Sequence, residues 1–168
     1  MAEVIKRGGI VVIPTDTIYG IVGSALKKKT VERIYRVRKR KPSKPFIILI
    51  SSPRELARFG IKPDARLKVF LGKVWPGPIS IILPCPAPKL RYLHRDTETL
   101  AFRVPKPAAL RALLTKTGPL VAPSANIEGL PPARTLGEAM RYFGNGVDVY
   151  VKGKPKRRTP SLLIEIKR

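Results

Sequence analysis

Cysteine and histidine are the scarcest reactive groups in this chain of 168 residues, which has one of each, Cys85 and His94. A single cysteine excludes an intrachain disulfide and a metal site built from paired thiolates. A lone histidine cannot anchor a metal by itself, so we expect His94 to have a surface or structural role. The sequence therefore predicts no metal-binding residues, and its cysteine usage is typical of a cytoplasmic protein.

Long hydrophobic runs and the common nucleotide-binding loops are also missing. No apolar run approaches the roughly 18 residues of a membrane span. Gly8-Gly9 ends the short predicted helix of residues 1–7 before an apolar signal segment could form, so we expect no membrane partner. No Gly-x-Gly-x-x-Gly follows a strand, and no glycine-rich loop ends in Gly-Lys-Ser/Thr. Any bound nucleotide must therefore be held by another arrangement.

Acidic residues are few, with 11 Asp and Glu against 34 Lys and Arg, and the formal net charge is +23. A field of that size favours polyanions such as RNA, or phosphorylated small molecules. The alternative is a surface that is heavily charged only to remain soluble. Charge therefore indicates a class of partner and leaves the reaction open.

The apolar pattern predicts one α/β domain over residues 1–168, with a mixed β-sheet and flanking helices. Apolar runs predict strands at 10–13, 46–50, 79–83, 100–104, 120–122, 147–151 and 162–166. Helices are predicted at 30–39, with Thr30 as the N-cap, and at 53–59, 64–74, 108–114 and 135–143. In the helix 64–74, Val69 is expected among the packed apolar residues.

Two predicted strands run directly into polar clusters. Residues 10–13 are followed by Pro14, which ends the strand, and then by Thr15-Asp16-Thr17. Open α/β sheets bind ligands where strands end, so this cluster indicates a hydroxyl-lined pocket for a small polar ligand such as an amino acid. The alternative is a simple turn. Ser124 and Asn126 follow 120–122 in the same way, either turned towards one ligand or capping a following helix.

Cationic side chains are concentrated after the helix 30–39. The basic segment 38–45 leads directly into the strand 46–50, so we expect Arg40 and Lys44 to lie over one end of the sheet. Arginine and lysine bind phosphate or carboxylate in such positions. The alternative is a solvated helix end, where cations also suit the helix dipole.

Arg103 lies inside an apolar strand, four residues after Thr99. A buried arginine is costly unless it is paired, so we expect it to contact Asp16, Glu165 or a ligand carboxylate. Ser161, just before the last strand, is a further hydroxyl candidate. The segment 153–158 is rich in lysine and arginine and has no apolar periodicity, which predicts a basic loop able to follow a phosphate backbone.

Taken in order, these motifs resemble the YrdC-like family, the threonylcarbamoyl-AMP synthases. Six segments carry the resemblance, over residues 10–166: Pro14–Gly20, Lys44-Pro45-Phe46, Trp75-Pro76-Gly77-Pro78, Arg103-Val104-Pro105, Ala122–Asn126 and Pro160-Ser161. The resemblance implies a twisted α/β sheet with a basic concave face. It also implies a nucleotidyltransferase that makes threonylcarbamoyl-AMP and pyrophosphate from L-threonine, bicarbonate and ATP, with Mg²⁺. The product would serve threonylcarbamoyladenosine modification of tRNA.

The same resemblance implies roles for individual residues. L-Threonine would be held by Thr17, Arg103, Ala122 and Ser161. ATP would be contacted by Arg40, Lys44, Thr99 and Ser124. The catalytic residues would be Arg38, Arg40, Ser124 and Asn126, with Arg38 standing where the family usually has lysine. The expected partners are tRNA or double-stranded RNA on the basic face, and the tRNA-modification proteins that use the intermediate.

Two other functions remain open. One is a tRNA- or double-stranded-RNA-binding protein in RNA or ribosome maturation, without catalytic turnover. The net charge and the basic run 152–158 support it. The other is carbamoyl transfer, as in related domains of hydrogenase maturation proteins. The lack of accompanying acylphosphatase-like and zinc-binding modules disfavours that function.

Overall fold

The centre of the computed structural model, which describes residues 1–155 and 159–166, is one twisted β-sheet. Its eight strands are β1 (Val11–Pro14), β2 (Tyr19–Ser24), β3 (Ile48–Leu49), β4 (Ile79–Pro84), β5 (Thr99–Arg103), β6 (Leu120–Val121), β7 (Val149–Tyr150) and β8 (Leu162–Glu165). They lie in the order β7-β1-β2-β6-β3-β5-β4-β8. Three neighbouring pairs are parallel and four are antiparallel, which confirms the predicted mixed α/β sheet.

Helices cover both faces of the sheet. They are α1 (Ala2–Lys6), α2 (Lys28–Val37), α3 (Ala65–Val74), α4 (Arg91–His94), α5 (Ala108–Thr117) and α6 (Leu136–Phe143), with 3₁₀ turns at Pro53–Phe59, Pro88–Leu90 and Gly144–Gly146. Alternate residues of each strand face opposite sides. In β2, Ile21 packs in the layer that contains α2, whereas Val22 packs in the layer with α1 and α5. Across the described ranges, none of the helices combines the length and the apolarity that crossing a bilayer requires.

One strand was not predicted, and it changes how the first polar cluster is built. β1 and β2 pair antiparallel with Pro14 opposite Tyr19, so residues 15–18 form the turn of a hairpin. Gly20 and Gly23 lower the strand propensity of β2. β2 nevertheless forms because it pairs with β1 on one side and with β6 on the other.

Two predicted details of the helices are wrong. α2 begins at Lys28 with Lys27 as the N-cap, so Thr30 does not cap it. Thr30 is instead buried inside the helix and donates to the carbonyl oxygen of Gly8 at 2.9 Å. Val69 is 61% exposed, because the residue that α3 buries in the core is Leu71.

Candidate active site

The hairpin turn between β1 and β2 buries three polar side chains. Thr15, Asp16 and Thr17 are 7, 6 and 4% exposed. The Thr15 hydroxyl donates to the carbonyl oxygen of Ile18 at 2.7 Å and accepts from the Thr17 amide at 3.1 Å. The two threonine hydroxyl oxygens are 3.0 Å apart. These bonds confirm the turn, and they hold Thr17 in one position at the end of the sheet.

Arg103 on β5 is joined to this turn. Its Nη1 donates to Asp16 Oδ1 at 2.7 Å, and the side chain is 5% exposed. Of the two protein partners expected, Asp16 is therefore confirmed, whereas Glu165 lies exposed on β8. Burial lowers the pKa of Arg103, and Asp16 opposes part of that shift. Within the described residues Arg103 Nε is buried without a hydrogen-bond partner, which leaves a donor for a ligand carboxylate.

A pair of serines lies near Arg103. β4 and β5 pair antiparallel with Ile81 opposite Phe102, and Ser80 and Arg103 adjoin this pair on their respective strands. Ser80 is fully buried, and its hydroxyl oxygen is 3.0 Å from that of Ser161. The fold thus brings Ser161 to the same region as Arg103. Ser80 was not predicted as a site residue; its signal in the sequence is a single hydroxyl inside an otherwise apolar strand.

A second polar cluster forms where α2 ends. Arg38 is 2% exposed; its Nε donates to Asn126 O at 2.9 Å, and its Nη2 donates to Asn126 Oδ1 at 2.9 Å and to Ser124 Oγ at 3.3 Å. Ser124 Oγ donates to Asn126 Oδ1 at 2.6 Å. Burial and the nearby charge of Arg40 lower the pKa of Arg38 to about 10, so the group stays charged at neutral pH. Ser124 and Asn126 therefore bind each other and Arg38, and neither caps a helix.

The other two predicted cations, Arg40 and Lys44, both lie near the carboxylate of Glu128. Its carboxylate accepts from the Lys41 amide at 2.6 Å, and it lies 3.5 Å from Lys44 Nζ and 3.8 Å from Arg40 Nη1. The bond from the Lys41 amide is the largest cause of the lowered pKa of Glu128. Glu128 was not singled out from the sequence. Its carboxylate keeps two flexible cations close together and leaves both partly exposed, with side-chain exposures of 24% for Arg40 and 57% for Lys44.

The two clusters are connected through the backbone. Ser124 forms a bridge with Gly20, and the Ala125 amide donates to Tyr19 O at 2.9 Å, which places the Arg38 cluster beside the hairpin. Ala122 lies just after β6, and its amide donates to Ile47 O at 2.9 Å. Contacts therefore run continuously from the turn that holds Thr17 to the cluster of Arg38.

Thr99 is the predicted site residue that the structure does not bring into these clusters. Its hydroxyl contacts Thr97, and it lies at the opposite end of β5 from Arg103, about 13 Å along the strand. Within residues 1–155 and 159–166, no hydrogen bond or ion pair links Thr99 to Arg40, Lys44 or Ser124.

A cavity of about 870 Å³ lies beside the hairpin, and its size suits a small-molecule ligand. Ile18 and Tyr19 form one wall, and the segments 131–137 and 152–155 form the others. The Tyr19 hydroxyl donates to the carbonyl oxygen of Gly153, which fixes that last segment over the hairpin. The predicted basic loop 153–158 is described only as far as Pro155, and residues 156–158 lie outside the described ranges.

His94 has the structural role that was expected. It is 4% exposed, and its Nε2 lies 3.3 Å from the carbonyl oxygen of Ala87. Among the described residues, no group of three or more histidine, cysteine or acidic side chains is arranged to hold a metal ion.

The mixed sheet defines an α/β protein, and the buried arginine beside hydroxyl groups and the adjoining cations are residue types that suit an anionic ligand. A sequence model of the Sua5/YciO/YrdC family, described as "Telomere recombination", matches residues 3–168. The chain belongs to this family.

Relatives in the family carry a specific name. The chain is 33% identical to a threonylcarbamoyl-AMP synthase of Nitrosococcus oceani, over 95% of this chain and 88% of that protein. It is 32% identical to one of Marinobacter nauticus, over 98% and 88%. It is also similar to the crystal structure of Pyrococcus abyssi Sua5 complexed with L-threonine, with a TM-score of 0.89 and 28% identity. That match covers 98% of this chain and 49% of the Sua5 chain, so this chain spans about half of that protein.

Proposed function

We propose that this chain is an L-threonylcarbamoyladenylate synthase, a nucleotidyltransferase that makes threonylcarbamoyl-AMP and pyrophosphate from L-threonine, bicarbonate and ATP. The observation that carries the proposal is the uncommitted Nε of Arg103, whose guanidinium is bonded to Asp16 in the buried turn that holds Thr17. Buried donors without partners are rare in folded proteins, and the carboxylate of an amino acid would satisfy this one. The names of the relatives and the L-threonine in the Pyrococcus abyssi structure support the same substrate.

The amino-acid pocket would be lined by the residues around Arg103. Arg103 would bind the carboxylate while Asp16 holds the guanidinium in place. Thr17 would meet a polar group of the substrate from the turn, and Ser161, held by Ser80 of β4, would meet it from the start of β8. Ala122 would form part of the wall beside β3.

The nucleotide would lie over the second cluster. Arg40 and Lys44, which Glu128 holds close together, would neutralise the phosphates of ATP. Arg38 would fix Ser124 and Asn126, and Ser124 would contact the nucleotide. The role of Thr99 requires ATP to extend along β5, since Thr99 lies at the far end of that strand.

The chemistry fits these residue types. The neutral amine of threonine attacks the carbon of bicarbonate or carbon dioxide and forms a carbamate, with release of water when bicarbonate is used and of a proton to solvent when carbon dioxide is used. A carbamate oxygen then attacks the α-phosphorus of ATP, and the bond to pyrophosphate breaks. Both steps need positioning and charge neutralisation and no covalent nucleophile on the protein. Enclosure of the carbamate would also protect it from water.

Mg²⁺ is expected to arrive with the nucleotide. The carboxylates beside the candidate site are engaged: Asp16 bonds Arg103, and Glu128 bonds the Lys41 amide and lies beside two cations. The described residues therefore do not form a metal site of their own. Mg²⁺ binds phosphate oxygens and water in many ATP-dependent enzymes, and we propose the same here.

The test is pyrophosphate release from ATP and bicarbonate in the presence of Mg²⁺, with and without L-threonine. We expect threonine-dependent release, with L-serine a clearly poorer substrate. Arg40→Ala should lower kcat/KM by ~10³-fold or more, because it removes positive charge from the phosphates at the site of nucleotidyl transfer. Arg66→Ala, a change at an exposed arginine on α3, is the matched control and should leave the rate unchanged. No release from a folded protein would contradict the proposal.

A second candidate function is binding of tRNA or double-stranded RNA without turnover, favoured by a cleft of about 480 Å³ at the start of α2. Six cationic side chains line it: Arg7, Lys27, Lys28, Lys29, Arg33 and Arg36. Both functions are compatible, since a synthase whose product modifies tRNA would gain from a surface that binds tRNA and from contacts with the modification proteins that use the intermediate.

We further propose one domain over residues 1–168, because a single sheet includes strands from both ends of the chain. Its location would be cytoplasmic, where tRNA is modified.

A further inference from the structure

The hydroxyl group of Thr15 has no hydrogen-bonding capacity left for a ligand. A threonine hydroxyl has one proton to donate and two lone pairs. Thr15 donates its proton to Ile18 O at 2.7 Å, and it accepts from the Thr17 amide at 3.1 Å. Its second lone pair faces Thr17 Oγ1 at 3.0 Å.

These bonds determine the direction of the bond between the two threonines. Because the proton of Thr15 is already committed to Ile18, the proton in the contact with Thr17 must come from Thr17. Thr17 is 4% exposed, and the described residues give its hydroxyl no further partner. Thr17 therefore presents lone pairs, and no proton, to the space beside it.

We propose that Thr15 is a positioning residue, which makes Thr17 an acceptor for the β-hydroxyl of the amino-acid substrate. This inference rests on the proposed function. An acceptor repels a carboxylate, which Arg103 would take instead. The N–H groups of the amine are common to all amino acids, whereas the β-hydroxyl is the proton donor that distinguishes threonine from valine. The Thr15–Thr17 pair would thus select an amino acid that carries a hydroxyl group.

The first test is the preference for L-threonine over L-valine, which has the same shape without a hydroxyl. Sites that hydrogen-bond a substrate hydroxyl strongly reject analogues without it. Thr15→Val frees the Thr17 hydroxyl to rotate, so we expect the preference in kcat/KM to fall by about tenfold, with the KM for ATP unchanged. Thr15→Ser keeps the hydroxyl and should restore the preference. An equal loss for both amino acids, or no loss, would overturn the proposal.

The second test needs no turnover, so it separates this proposal from the proposed function. In the wild-type protein without ligand, the Thr17 hydroxyl proton should exchange slowly with water and be visible by NMR. In Thr15→Val the same proton should exchange rapidly, while Thr15→Ser should preserve the slow exchange. A Thr17 hydroxyl signal that is absent from the wild type, or that Thr15→Val leaves unchanged, would contradict the assigned direction. Failure of pyrophosphate release alone would leave this NMR result intact.

Discussion

At the scale of single residues, two buried arginines show how the site is held. Arg103 is balanced by one carboxylate, whereas Arg38 bonds neutral oxygens of Ser124 and Asn126. Removing the partner of a buried charge destabilises a protein more than removing the partner of an exposed charge. Asp16 therefore contributes both to the stability of the fold and to the orientation of Arg103.

Asp16→Asn should lower the free energy of unfolding by about 3 kcal/mol, because it leaves the buried guanidinium of Arg103 without a compensating charge. Urea unfolding measures this loss. Asp96→Asn is the matched control: Asp96 pairs with Arg91 on the surface, with side chains 65% and 72% exposed, so a much smaller loss than for Asp16→Asn is expected. Similar losses for the two variants would mean that the Asp16–Arg103 pair behaves as an exposed pair.

The sequence predicted part of this residue-scale picture. Arg103 needed a partner because arginine is costly inside an apolar strand, and Asp16 was one of the expected partners. Ser80 and Glu128 were not found, because their roles depend on strand register and on a loop that folds back onto α2. Such contacts join distant parts of the chain, and local sequence patterns do not encode them.

At the scale of secondary-structure elements, the elements with long apolar runs were predicted well, whereas the glycine-containing strand β2 was not. Central strands and the helices from α2 to α6, apart from the short α4, follow from apolar periodicity. β2 was missed because Gly20 and Gly23 weaken the local signal, although pairing on both edges makes it a strand. The glycine at position 23 has a physical reason, since α2 crosses β2 there at close range.

Gly23→Ala should destabilise the packing of α2 on β2. The added Cβ would lie 2.5 Å from Thr30 Cγ2 and 3.1 Å from Ile10 Cγ2, so α2 must shift. We expect a loss of about 1–3 kcal/mol, measured by thermal unfolding. Gly72→Ala is the control: a Cβ at Gly72 meets nothing within 4 Å, and alanine favours the helical conformation of α3 by about 1 kcal/mol. A neutral Gly23→Ala variant would show that α2 moves without cost.

At the scale of the whole molecule, the excess of positive charge is not evenly compensated. Around the candidate active site, Glu128 and Asp16 offset nearby cations. In the cleft at the start of α2, the only cation with a carboxylate partner among the described residues is Arg33, which pairs with Asp148. α2 has ten residues, so the lysines that line this cleft at the start of the helix lie about 15 Å from the Arg38 cluster at its end.

Charge reversal in this cleft should separate RNA binding from catalysis. The triple variant Lys27→Glu, Lys28→Glu, Lys29→Glu should lower affinity for tRNA at least ~10-fold and reduce the salt dependence of binding, because fewer phosphates are neutralised. Acidic residues also suit a helix N-terminus, so the variant is expected to fold. Pyrophosphate release should remain unchanged, since the active-site residues lie at the other end of α2.

The control for this variant is Arg66→Glu, Lys68→Glu, Lys73→Glu on α3, which changes the net charge by the same amount at exposed positions. We expect a smaller loss of tRNA affinity than in the cleft variant, and a salt dependence closer to that of the wild type. Equal losses in both variants would mean that net charge alone attracts RNA, because the position of the cations would then make no difference. A cleft-specific loss would instead place the tRNA backbone along α2, the helix whose far end carries Arg38.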